Sequence, residues 1–161
     1  FSPWVTMIRS PFSRIISEYE YGSTHNKAQS ECDCNLMWKY SHMEYRHNWQ
    51  VAFLNGLRSS LWPCHAFERV NEHHYEKLVN DIQQKKVFVG VTEYFHESVV
   101  KLFYFLGLPS HMFIEKVANR RNRLQCSKCT NKSEEELYNR NNLIDQKLWS
   151  FSIAIIKKQN R

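Results

Sequence analysis

The stretch that decides the fold reads Trp4-Val5-Thr6-Met7-Ile8-Arg9-Ser10-Pro11-Phe12-Ser13-Arg14-Ile15-Ile16-Ser17-Glu18-Tyr19. It predicts a buried strand over 4–8, a turn that holds Arg9, and a helix over 11–20. Ser10 is a good N-cap residue, and a proline suits the first helical position after it. Arg9 is therefore expected at the carboxyl end of a strand, facing a helix N-terminus, where open α/β folds bind anions. Ser17, about two helical turns further on, offers a hydroxyl donor to the same anion.

The whole chain has the length of one domain, 161 residues, and 42% of them are apolar, which is enough to bury a core. No apolar run reaches the roughly 18 residues typical of a transmembrane helix, and the opening residues do not have the pattern of a signal peptide. The chain begins with a strand pattern and without a methionine. We therefore expect an internal or C-terminal piece of a longer protein.

The net charge of +6 is compatible with an ordinary basic protein or with a polyanionic partner, such as nucleic acid, an acidic polysaccharide or a nucleotide. The charge is concentrated over 116–132. That stretch contains no acid and six basic residues: Lys116, Arg120, Arg121, Arg123, Lys128 and Lys132. We expect it to form a positively charged loop.

The five cysteines fall as Cys32-Asp33-Cys34, Cys64 and Cys126-Ser127-Lys128-Cys129. Disulfides formed in a secretory compartment are the favoured interpretation, with a zinc site or unpaired thiols as alternatives. The spacing does not determine the pairing, and the odd number leaves one cysteine over. The triplet that starts at Asn131 is an N-glycosylation sequon, as expected for a glycoprotein.

The rest of the chain alternates between helical and strand patterns. A polar stretch over 23–41 is expected to be an insertion loop, and Gly90 is expected to let another backbone come close. The periodicity predicts helices over 46–58, 67–83, 95–106 and 133–158, and a strand over 87–92. This alternation is typical of an α/β fold with a parallel sheet.

The pattern Arg9-x-Pro11-x-x-Arg14-x-x-Ser17 resembles the 3′-phosphate-binding motif of sulfotransferases that use 3′-phosphoadenosine 5′-phosphosulfate (PAPS). In that family, the arginine and the serine eight residues later hold the 3′-phosphate of the donor. An aspartate is common in the family at the position of Ser10, which keeps an N-cap but removes a negative charge.

Two further blocks resemble the same family in the same order. Lys86 to Glu93 is similar to the strand and turn of carbohydrate sulfotransferases related to the heparan sulfate 2-O- and 6-O-sulfotransferases. Asn142-Leu143-Ile144-Asp145-x-x-Leu148-Trp149 looks like the closing helix of that family. The three blocks cover nearly half the chain, whereas the middle, 23–66, matches only loosely.

This resemblance implies that 1–161 is the C-terminal portion of a single sulfotransferase domain. The implied fold is a three-layer, P-loop-like α/β fold with a parallel sheet, incomplete here on its N-terminal side. The implied activity is transfer of a sulfuryl group from PAPS to a glycan hydroxyl, with no metal. The loop that cradles the 5′-phosphosulfate and the catalytic base are expected upstream, so no catalytic residue is assigned within the chain.

The implied donor contacts are Arg9 and Ser17, together with Arg120 and Arg121, which lie where the family has a nucleotide-covering loop. The implied acceptor is an acidic polysaccharide or a glycoprotein, not nucleic acid. The implied location is the Golgi lumen, as a type II membrane protein held only by an N-terminal anchor outside this sequence. The alternatives are a tyrosylprotein sulfotransferase and a non-catalytic polyanion-binding module.

Three other features have two interpretations each. His73-His74 is either a base or metal pair, or a pair of histidines at the surface or the core edge. Glu93 either contacts the donor or acceptor, or caps the helix that follows it. Arg14 either contacts the phosphate or pairs with Glu18 one helical turn later.

Overall fold

A computed structural model of the chain describes residues 4–25, 32–43, 46–57, 69–109, 126–129 and 131–158. Over these residues the protein is mixed α/β and mostly helical, with one small parallel sheet of two strands. None of the described helices combines the length and the apolar character needed to cross a lipid bilayer.

The sheet pairs β1 (Trp4–Ile8) with β2 (Val87–Val91) in parallel, from Trp4 opposite Val87 to Ile8 opposite Val91. The two strands therefore end at the same level. The predicted burial of β1 is wrong for its first half, since Trp4 and Val5 are exposed and Ile8 is buried. Gly90 makes room for the side chains of Met7 and Ser98 rather than for a neighbouring backbone.

Helix α1 (Pro11–His25) begins where the sequence predicts and runs past the predicted end. The N-cap prediction is confirmed, because Ser10 Oγ accepts a hydrogen bond from the backbone N–H of Ser13 at 3.2 Å. The Ser10 carbonyl accepts the backbone N–H of Arg14 at 2.9 Å. Ser10 therefore accepts the backbone N–H groups of two residues in the first turns of α1.

The predicted insertion loop over 23–41 is wrong for its second half, which forms α2 (Cys34–Ser41). Asp33 caps this helix, since its Oδ1 accepts from the backbone N–H of Leu36 at 3.0 Å. Met37 and Trp38 on α2 are buried. A polar stretch can thus form a helix when it supplies a cap and two large apolar side chains that become buried.

The next helix, α3 (Trp49–Leu54), is shorter than the predicted 46–58, because Asn48 adopts a left-handed backbone with φ of 48°. Helix α4 (Glu72–Gln83) ends as predicted but begins later than the predicted 67, because Asn71 caps it. Residues 67 and 68 lie outside the described residues. One 3-10 turn follows β2 and leads into α5 (Phe95–Phe105).

The predicted single helix over 133–158 is wrong, because two helices, α6 (Lys132–Asn141) and α7 (Leu143–Lys158), meet at Asn142. Asn142 Nδ2 donates to the Tyr138 carbonyl at 2.7 Å, and its Oδ1 accepts the backbone N–H of Asn48 at 2.8 Å. Asn131, not Ser133, caps α6.

The main core lies between the sheet and α3, α4 and α7. Its buried members come from both strands and all three helices: Ile8, Val51, Leu78, Val89, Val91, Leu148 and Ile156. Lys101 of α5 is buried and links α5 to α7, because its ammonium donates to the Ile155 carbonyl at 2.9 Å.

A second apolar cluster packs α1 and α2 against a 3-10 turn over Cys126–Cys129. Two disulfides hold it together, Cys32–Cys126 and Cys34–Cys129, with Cα–Cα distances of 5.2 and 5.1 Å. The interpretation of these four cysteines as disulfides is confirmed. Cys64, the fifth, lies outside the described residues.

Candidate functional site

A cavity of about 430 Å³ lies at the carboxyl ends of the strands, between α1 and α3. Its walls come from the end of β1, one face of α1, four residues of α3 and the first residue after β2. The lining residues are Thr6, Met7, Ile8, Arg9, Arg14, Ser17, Glu18, Tyr21, Trp49, Gln50, Phe53, Leu54 and Thr92. Arg9 and Ser17, predicted as partners of one anion, therefore line the same cavity.

Polar contacts tie the two strand ends together beside this cavity. The Thr92 hydroxyl donates to the Ile8 carbonyl at 3.2 Å. The Glu93 carboxylate accepts from the backbone N–H of Ser10 at 2.8 Å. Glu93 thus holds the residue that caps α1. The interpretation that Glu93 caps the helix that follows it is wrong, because the N-cap position of that helix is Tyr94 and no side chain caps it.

The contacts that hold Arg9 in place are made by its backbone and not by its guanidinium. Its N–H donates to Gln50 Oε1 and its carbonyl accepts from Gln50 Nε2, both at 3.0 Å. Within the described part of the chain, the guanidinium of Arg9 has no carboxylate or hydrogen-bond partner. A partly buried arginine that lines a cavity and has no counterion among the described residues is suited to bind an anion.

One face of α1 forms the wall along which Ser17 lies. Arg14, Ser17, Glu18 and Tyr21 all line the cavity, because residues three, four and seven positions apart share one side of a helix. Among the described residues, the Ser17 hydroxyl has no hydrogen-bond partner. Ser10 takes the backbone N–H groups of Ser13 and Arg14, and the first α1 residue that lines the cavity is Arg14. The space that Arg9 and Ser17 share therefore lies along the flank of α1.

Arg14 differs from Arg9 in being paired. Its guanidinium forms an ion pair with Glu18 and donates to the Tyr138 hydroxyl at 3.1 Å. Glu18 also pairs with Arg46 and accepts from the Tyr40 hydroxyl at 3.2 Å. The structure therefore places Arg14 in the ion pair that the sequence offered as one of two interpretations. Since Glu18 is the shared carboxylate of two arginines, the cavity wall retains a positive charge.

Two aromatic side chains of α3 give the cavity an apolar wall, whose role the sequence did not predict. The rings of Trp49 and Phe53 stack with centroids 4.9 Å apart and an interplanar angle of 8°. The guanidinium carbon of Arg14 lies 5.4 Å from the centroid of Trp49. Nothing local in the sequence indicates that these aromatics line the same cavity as Arg9. The cavity can therefore hold a ligand with a planar apolar part and an anionic part.

Helix α3 is fixed by Asp145, which is fully buried. Its two carboxylate oxygens accept the backbone N–H groups of Gln50 at 3.0 Å and Val51 at 2.8 Å. Burial raises the pKa of Asp145, against these two donors and the charge of Arg14, which lower it. Asn48 caps in return, since its Oδ1 accepts from the N–H of Ile144 at 3.0 Å.

The two histidine candidates, His73 and His74, do not line this cavity. Arg120 and Arg121 lie outside the described residues, as does most of the basic stretch over 116–132. His74 is buried and its Nδ1 accepts from the backbone N–H of Asn71 at 3.2 Å, so it completes the cap of α4. His73 is exposed beside it. Among the described residues, no group of three or more His, Cys, Asp or Glu side chains is placed to hold a metal ion.

Comparisons of the chain with protein-family models, with curated proteins and with solved structures found no match.

Proposed function

We propose that this protein is a PAPS-dependent sulfotransferase, in which Arg9 and Ser17 hold the 3′-phosphate of the donor. The observation that carries the proposal is their placement in one cavity at the carboxyl end of β1, with no described partner for either side-chain polar group. A phosphate dianion would give both groups the partner that the described residues do not supply. The resemblance of the Arg9–Ser17 pattern to the 3′-phosphate motif supports the same conclusion.

The acceptor we propose is a hydroxyl of a glycan, with an acidic polysaccharide such as a glycosaminoglycan as the first candidate. In this reaction the acceptor oxygen forms a bond to sulfur while the bond from sulfur to the phosphate oxygen breaks, and a base takes the hydroxyl proton. Enzymes assist such transfers mainly by positioning and by neutralising charge. The residues described here serve the positioning, because they hold the end of the donor that does not react.

The fold and location that we propose follow the same resemblance. The parallel pairing of β1 and β2, with helices packed on the sheet, supports a P-loop-like sulfotransferase fold. The two disulfides support folding in an oxidising compartment, for which we propose the Golgi lumen. Arg120 and Arg121 remain proposed as contacts to the donor.

Calorimetry with 3′-phosphoadenosine 5′-phosphate (PAP) tests the donor site. Arg9→Ala should weaken PAP binding by about 1.5–3 kcal/mol, which is about 10- to 150-fold, because it removes a charge-assisted hydrogen bond. Ser17→Ala removes a neutral donor and should cost about 1–2 kcal/mol. Both losses should disappear with adenosine 5′-phosphosulfate, which has no 3′-phosphate.

The matched controls are Arg140→Ala, which removes the same charge from the exposed surface of α6, and Ser13→Ala on the exposed side of α1. Neither should change PAP affinity. Unchanged PAP affinity in a folded Arg9→Ala protein would refute the donor site. PAP binding without sulfate transfer from PAPS to any glycosaminoglycan or tyrosine peptide would instead indicate a non-catalytic binding module.

A further inference from the structure

The side chain of Gln50 bonds both polar groups of the Arg9 backbone and also donates to the buried carboxylate of Asp145. Gln50 is 5% exposed, its Oε1 accepts the N–H of Arg9, and its Nε2 donates to the carbonyl of Arg9. A side-chain amide bonded in this way acts on the backbone as a neighbouring strand would. Since β1 ends at Ile8, Gln50 supplies the pairing that Arg9 lacks just beyond the sheet.

Gln50 itself is fixed from the far side of the molecule. Its backbone N–H donates to Asp145 of α7 at 3.0 Å, next to the bond from Val51 to the same carboxylate. The position of α3 is therefore set by α7, and the position of the Arg9 backbone is set by α3. This chain of contacts ends at the one arginine of the cavity whose guanidinium has no partner among the described residues.

We propose that Gln50 is a positioning residue for the anion site, which acts on the bound 3′-phosphate only through Arg9. The inference rests on the proposed function, since it takes the 3′-phosphate as the ligand. An arginine recognises a phosphate by directed hydrogen bonds, so a small shift in its Cα weakens those bonds. Holding both polar groups of the Arg9 backbone prevents that shift and is the role that we assign to Gln50.

The test is a double-mutant cycle between Gln50→Met and Arg9→Ala, read by PAP calorimetry. Arg9→Ala removes the guanidinium but keeps the backbone groups that Gln50 binds, so the two residues can be separated. Gln50→Met should weaken PAP binding about tenfold in the wild-type background and less than about twofold in the Arg9→Ala background. It should leave the affinity for adenosine 5′-phosphosulfate unchanged.

Asn55→Leu is the matched control, because Asn55 is another side-chain amide of this region that binds backbone carbonyls, those of Val51 and His74 at 2.9 and 3.1 Å. It lies outside the cavity lining and should leave PAP affinity unchanged. If Gln50→Met does not fold, Gln50→Asn replaces it, since it keeps a buried amide that is one methylene too short to make both bonds.

Three results would overturn the inference. An equal loss of PAP affinity in both backgrounds, or an equal loss for the two nucleotides, would show that Gln50 acts on the fold as a whole. Full PAP affinity in folded Gln50→Met would show that Arg9 needs no such support. Full PAP affinity in Arg9→Ala would refute the proposed donor site, and the role of Gln50 would fall with it.

Discussion

The two disulfides close almost the same loop, which leads to a specific prediction about their energetics. Cys32–Cys126 spans 94 residues and Cys34–Cys129 spans 95. In the chain-entropy description, a bridge stabilises a fold by restricting the unfolded chain, and one bridge across a loop of this length contributes about 4.7 kcal/mol. Once one bridge is present, the second closes only a few further residues, and its contribution falls to about 2 kcal/mol.

We therefore expect strong non-additivity. The pair Cys34→Ala and Cys129→Ala should lower the free energy of unfolding by about 2 kcal/mol, and so should the pair Cys32→Ala and Cys126→Ala. Removing all four cysteines should lower it by about 7 kcal/mol, which is comparable to the whole stability of a typical domain. Equilibrium urea unfolding under non-reducing conditions measures these values, with mass spectrometry to verify the remaining bridge.

A third pair provides a control for the topology. Cys129 Sγ lies 3.6 Å from Cys32 Sγ, so the variant with Cys34→Ala and Cys126→Ala keeps two sulfurs that can join in an oxidising buffer. It should form that bridge and match the two single-bridge variants in stability. If each single-bridge variant instead loses about 4–5 kcal/mol, the bridges restrict the unfolded chain independently, and the shared-loop reasoning is wrong.

Two further predictions concern carboxylates. Burial raises the pKa of Asp145, so the folded state binds a proton more readily than the unfolded state. The stability of the wild type relative to Asp145→Asn should therefore increase from neutral pH down to about pH 4. A decrease in this relative stability would mean that the two backbone donors outweigh burial. Glu93→Ala should lower the free energy of unfolding by about 1 kcal/mol through the lost bond to Ser10. Glu93→Gln keeps an acceptor and should leave both stability and the proposed sulfate transfer near wild type. If transfer is measured for the wild type and lost in a folded Glu93→Gln protein, Glu93 takes part in the chemistry instead.

The features predicted correctly from the sequence are those determined by neighbours in the chain. The cap at Ser10 depends on a bond to Ser13, three residues away, and the start of α1 follows from it. The cap at Asp33 is equally local, since it binds Leu36. The helix that Asp33 caps was nevertheless predicted as a loop, because the residues around this cap are mostly polar.

The other features that the sequence did not predict depend on contacts between distant residues. The helical pattern continues through Asn142, and what interrupts it is a bond to Asn48, which is 94 residues away. The wall that α3 contributes to the cavity depends on the bonds from Gln50 to Arg9, which is 41 residues away. Periodicity describes one element at a time, so neither contact could be predicted from it.

The motif of the closing helix has a structural role that connects it to the cavity. Asn142 and Asp145 are three residues apart, so they lie on the same side at the start of α7, and both are fully buried. Asn142 accepts from the backbone of Asn48, and Asp145 accepts from the backbones of Gln50 and Val51. Neither side chain lines the cavity, yet together they fix the helix that carries Gln50. Residues of this motif therefore support the proposed anion site through the backbone of α3, and we expect their substitution to affect stability first and the proposed donor binding only as a consequence.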